Sequence, residues 1–154
     1  RAGWGFWVIE GDSGTGNGKG DLLDEMNGEV VTDPSSKVYL GAEVGSNNTA
    51  ELSAIAHALR WLLTQDEVGE VTIRGDSEYA LNISSGEWRA KANRELANRV
   101  QSLWREVSEQ LDLIGEHVPA HKGHRWNERS DHLAFRAMKG EVSLPLQFWK
   151  PGRR

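Results

Sequence analysis

The apolar residues of this chain change their period several times, and the order of those changes leaves few folds open. "GWGFWVIE" (3–10) alternates aromatic and β-branched residues, with glycines where side chains would crowd, and predicts a strand. "SSKVYLGAEVG" (35–45) predicts the next one. Then "NNTAELSAIAHALRWLL" (47–63) sets Leu52, Ile55, Ala56, Leu59, Leu62 and Leu63 at helical spacing, with a cap near Asn48. "EVTIRGD" (70–76) reads as a short strand with a helix starting at Ser77 directly behind it. A long amphipathic helix over 89–111 buries Leu96, Val100, Leu103, Trp104 and Val107. "LIGEHVPAH" (113–121) is a further strand, and 127–140 a last helix that stops at Gly140. Strands first, then helices and strands in alternation, make an α/β domain with a mixed sheet.

Between the first two predicted strands, "GDSGTGNGKGDLLDEMNGE" (11–29) is glycine-rich and acidic and predicts a long loop. It lacks the Gly-Lys-Ser/Thr ending of a phosphate-cradling loop, and its acids would repel phosphate. The tail is apolar and then basic, and its prolines oppose a helix. The organisation expected is one domain over 1–140 and a tail over 141–154.

A chain of 154 residues can bury a real core. It has no apolar run long enough to span a bilayer, and its first residues lack the basic-then-apolar pattern of a signal peptide. Cysteine is absent, which excludes disulfides and thiolate metal sites and suits a cytoplasmic or other reducing intracellular compartment. The net charge of −5 argues against a strongly basic, self-sufficient nucleic-acid binder, but it is unevenly spread. Residues 1–70 hold 12 acids and 4 bases, whereas 71–154 hold 11 acids and 14 bases, so a polyanion should meet the second half.

Asp76 stands at the exit of a strand, where a helix cap is the plain explanation. Glu51 and Asp131 lie near the starts of two other predicted helices, where each could serve the helix dipole. Taken together the three ask for more. Ligands of open α/β sheets gather at the carboxyl ends of strands, and carboxylates brought together there repel one another. A hard cation with oxygen ligands removes that conflict.

Three stretches, "NNTAEL", "GDSEYALN" and "PAHKGHRWNERSDHLA", resemble the motifs of the ribonuclease H type 1 family. The third is the most specific, fixing two histidines, Asn127, Glu128, Arg129 and Asp131 in one spacing. The resemblance implies an RNase H-like mixed five-stranded sheet flanked by helices and cleavage of the RNA strand of RNA–DNA hybrids. It implies that Glu51, Asp76 and Asp131 are three of four metal-binding carboxylates, holding two Mg²⁺ about 4 Å apart, with Mn²⁺ able to substitute. His121 matches a loop histidine that assists proton transfer or product departure, and His124 a second, less critical one. Asn48 matches a residue that contacts the hybrid, and Asn47 and Ser77 join it. Trp88, Arg89, Lys91 and Arg94, in a short basic stretch, suit the DNA-strand phosphates.

The resemblance breaks at the first motif. The family's first, central strand ends in Asp-Gly-Ser and supplies the fourth carboxylate before a glycine-rich turn. Here "RAGWGFWVI" resembles the end of that turn and the second strand, and a start at Arg1 fits a chain cut from something longer. The first strand is then absent, and an upstream segment, another chain or residues 141–148 must fill its slot. On the alternative, "VIEGDSG" is the first strand and Asp12 the missing ligand, but "DLLDEMNGEVV" must then be the second strand, for which its acids make it poor. Two other functions stay open: a non-catalytic RNase H-like binding module, and a DNA-strand-transferring relative, which would lack the third motif.

Overall fold

The computed structural model describes residues 1–11, 20–119 and 125–151. In chain order its elements are β1 (Gly3–Glu10), β2 (Asp21–Glu29), α1 (Asn47–Leu63), β3 (Glu70–Gly75), α2 (Glu78–Ser85), α3 (Arg94–Ser108), β4 (Asp112–His117), α4 (Arg125–Lys139) and a 3₁₀ turn, Leu146–Phe148. They fall into two compact units, Arg1–Glu29 with Ala120–Arg154, and Val30–Pro119.

In the first unit β1 and β2 pair antiparallel, from Gly3 opposite Glu29 to Glu10 opposite Asp21. α4 lies against this hairpin. Two glycines of β1 permit that approach. A Cβ on Gly3 would strike the Ala134 carbonyl, and one on Gly5 would stand 2.7 Å from the Leu133 Cβ. Trp126 and Leu133 of α4 are buried there, and the Trp7 ring of β1 meets Trp126. Arg129 of α4 is fully buried and donates to both carboxylate oxygens of Glu25 on β2. The segment after α4 is bound to the same helix: Arg129 donates to the Leu144 carbonyl at 2.8 Å, the Leu144 N–H donates to His132 Nε2 at 3.0 Å, and the buried Trp149 ring faces the Arg129 guanidinium.

In the second unit β3 and β4 pair parallel, from Glu70 opposite Asp112 to Gly75 opposite His117. α1, α2 and α3 pack on one another, burying Leu52, Ile55, Ala56, Leu59 and Leu62 of α1 and Leu96, Val100, Leu103, Trp104 and Val107 of α3, as the helical spacing predicts. α1 is capped by Ser46 rather than near Asn48: Ser46 and Thr49 exchange side-chain bonds with each other's backbone N–H.

The mixed α/β fold is the expected one, with its strands in two two-stranded sheets among the described residues. Two local readings are corrected. Residues 21–29, expected as loop, form β2, because its polar residues find partners that only tertiary structure supplies: Glu25 in Arg129, and Asn27, whose Nδ2 donates to the Leu133 carbonyl at 2.8 Å. Residues 35–45, expected as a strand, form turns and bends instead. Asp33 accepts from both the N–H and the hydroxyl of Ser35, and Gly41 takes φ +113° against the start of α3.

With β2 formed, the objection that 21–29 makes a poor second strand falls away. β1, residues 11–20 and β2 run in the order strand, glycine-rich connection, antiparallel strand, which the resemblance gives to the family's first two strands. Among the described residues β1 pairs with β2 alone, and residues 141–148 add no strand beside it. Among the described residues no helix is long and apolar enough to cross a membrane.

Candidate functional site

Asp76 and Ser77 follow the carboxyl end of β3, both half-buried. Capping of α2 belongs to Ser77, whose Oγ accepts from the Ala80 N–H at 3.0 Å, so it is not Asp76 that caps this helix. The Asp76 carbonyl is bonded to the His117 ring, Nε2 at 3.1 Å, across the end of the β3–β4 pair. Glu51 is the fifth residue of α1 and half-buried; the first turn of α1 holds no acid, so Glu51 is not a dipole partner there. Asn47 and Asn48 are exposed in that first turn.

Beside them opens a groove of about 590 Å³, lined by Asn48, Tyr79, Ile83, Glu87, Trp88, Arg89, Lys91, Ala92 and Asn93. It joins Asn48 on α1 to Trp88, Arg89 and Lys91 on the α2–α3 connection, four residues that the resemblance and the charge distribution single out separately. Trp88 keeps 45% of its surface exposed. Asn47, Ser77 and Arg94 are not among the lining residues; Arg94 is the exposed first residue of α3.

Tyr79, Glu87 and Asn93 are groove residues that the sequence reading missed. Asn93 has φ +54°, rare for a residue other than glycine, and it precedes α3 without a side-chain cap bond. An Asn ahead of "RELANRV" is a helix-start signal. Starting the helix at Arg89 hid it.

In the other unit Asp131 is exposed on α4, between the buried Arg129 and His132. Asp12, His121 and His124 lie outside the described residues. Among the described residues no three histidine or acidic side chains converge as a metal site. The donor chemistry of Glu51, Asp76 and Asp131, carboxylate oxygen throughout, fits a hard divalent cation.

A family model described as RNase H matches residues 11–139. The chain belongs to the RNase H family. Among relatives, a ribonuclease H of Ruegeria is 33% identical over 142 residues, spanning 85% of this chain and 86% of its own length. A ribonuclease H of Pseudomonas fluorescens is 30% identical over 139 residues, spanning 85% and 87%. Among solved structures, RNase H1 from Halobacterium salinarum superposes with a TM-score of 0.62 at 23% identity, over 90% of this chain and 86% of that one. LC11-RNase H1, solved in complex with an RNA/DNA hybrid, gives 0.57 at 21% identity, over 90% and 96%. These likenesses carry the RNase H fold.

Proposed function

We propose that this chain is an Mg²⁺-dependent endoribonuclease that hydrolyses the RNA strand of RNA–DNA hybrids and leaves 5′-phosphate ends. The observation that carries this reading is the groove. In a member of the RNase H family it unites Asn48, whose amide suits a minor-groove contact, with an exposed aromatic and two cations. The hybrid-bound state of the similarly folded LC11-RNase H1 supports the same substrate.

The residues divide the work by chemistry. A hybrid is A-like, with the RNA 2′-hydroxyl displayed in a wide, shallow minor groove. The amides of Asn47 and Asn48, donors and acceptors at once, suit that hydroxyl. Arg89, Lys91 and Arg94 neutralise phosphates, and the Trp88 face packs on sugar or base. Ser77 stands beside Asp76 at the strand end. Glu51, Asp76 and Asp131 would hold the metal, which when bound supplies an activated water and charge stabilisation at the leaving oxygen. His121 is suited to give a proton to the departing 3′ oxygen, histidine being the side chain whose charge changes near neutral pH.

The test is cleavage in Mg²⁺ of an RNA–DNA hybrid beside duplex RNA and duplex DNA of the same sequence. The hybrid alone should be cut. Equal cutting of duplex RNA would contradict the reading, and tight hybrid binding without cutting would assign the non-catalytic module instead.

A further inference from the structure

We propose that His117 is a positioning residue for Asp76, an inference that rests on the carboxylate reading above. His117 ends β4 and stands opposite Gly75, the last residue of β3. The ladder closes there, the Val118 N–H donating to the Gly75 carbonyl at 2.9 Å. One residue further the chain bends, and the Asp76 carbonyl meets His117 Nε2 at 3.1 Å. A carbonyl only accepts, so the ring carries its proton on Nε2.

The bond falls on the peptide that joins Asp76 to Ser77, and Ser77 caps α2. Three anchors therefore bracket one aspartate: the last ladder rung before it, the helix cap after it, and the imidazole at its own carbonyl. An aspartate side chain has only two torsions, so a rotation of its backbone carries through to its carboxylate oxygens. A displacement of about 1 Å at a reacting centre can cost on the order of 10²-fold in rate. The His117 side chain is itself exposed, so its replacement opens no hole in the core.

The experiment compares wild type, His117→Phe, which keeps a ring without a donor, and His117→Gln, whose amide can donate from a similar position. Asp76→Asn is run beside them. Three quantities are measured: kcat and KM on the hybrid, Mn²⁺ affinity of the hybrid-free protein by electron paramagnetic resonance, and Tm. His117→Phe should lower kcat about 10-fold and weaken Mn²⁺ binding several-fold, with KM and Tm unchanged, and His117→Gln should restore both to within about 3-fold. Unchanged kcat and Mn²⁺ affinity in His117→Phe, while Asp76→Asn is inactive, would overturn this inference alone. A lowered Tm that His117→Gln does not rescue would also overturn it, by showing a role in folding only. Full activity in Asp76→Asn would overturn the carboxylate reading and this inference with it.

Discussion

Arg129 and Glu25 form a two-pronged ion pair, Nε to Oε2 at 2.9 Å and Nη2 to Oε1 at 2.5 Å, with the arginine side chain wholly inaccessible and the glutamate a quarter exposed. One guanidinium thereby ties β2, α4 and the Leu144 carbonyl of the segment that follows. The arginine of the "NERSD" motif is thus a structural node, two residues from Asp131, the acid proposed to hold metal.

Arg129→Ala should therefore destabilise the fold by about 3–5 kcal/mol, since it removes one partner of a buried pair and strips the donor from Leu144. Urea unfolding measures it. A loss below about 1 kcal/mol would show that the pair is replaced by water without consequence.

His57 gives a pH prediction with a definite sign. Burial of its ring on α1, with the Arg60 charge close by, lowers its pKa from 6.5 to about 4. In the unfolded chain the ring binds a proton below about 6.5, so between pH 4 and 6.5 the unfolded state holds more protons. Stability from the neutral ring is complete above pH 6.5, is lost as pH falls toward 4, and changes no further below that. For a half-buried ring the loss should be about 1–2 kcal/mol after screening. His57→Gln should remove that part of the slope, and parallel wild-type and variant profiles would refute the assignment.

The groove predicts a change in salt dependence. If Arg89 and Lys91 each hold one phosphate, the double alanine variant should raise KM and flatten the plot of log affinity against log salt by about two units. Trp88→Ala should raise KM with little change in kcat. An unchanged salt slope would show that these cations on the α2–α3 connection meet only solvent.

The core helices were readable from spacing because a buried helix face is a local pattern, as Leu52 to Leu62 and Leu96 to Val107 show. The exchange of strand and loop between 21–29 and 35–45 was not readable. The acids of β2 look unfit for a strand until Arg129 lies beside Glu25, more than a hundred residues away in sequence. Conversely, "SSKVYLGAEV" alternates well, yet its Asp33 turn and the left-handed Gly41 bend it out of any ladder. At the site, Asn48 and the basic stretch announced themselves by motif and charge. His117 did not, because its place beside Asp76 depends on the register of a parallel pair, which no local pattern encodes.

The central claim is that this chain cuts RNA in a hybrid by way of the carboxylate at the end of β3. The most direct measurement is cleavage of a hybrid labelled on both strands, over a Mg²⁺ titration, for wild type and Asp76→Asn. Wild type should cut only the RNA strand and leave 5′-phosphates. Asp76→Asn should still bind the hybrid and lose cleavage by at least about 10³-fold at every Mg²⁺ concentration. RNA cleavage by Asp76→Asn close to the wild-type rate, or scission of the DNA strand by wild type, would contradict the account.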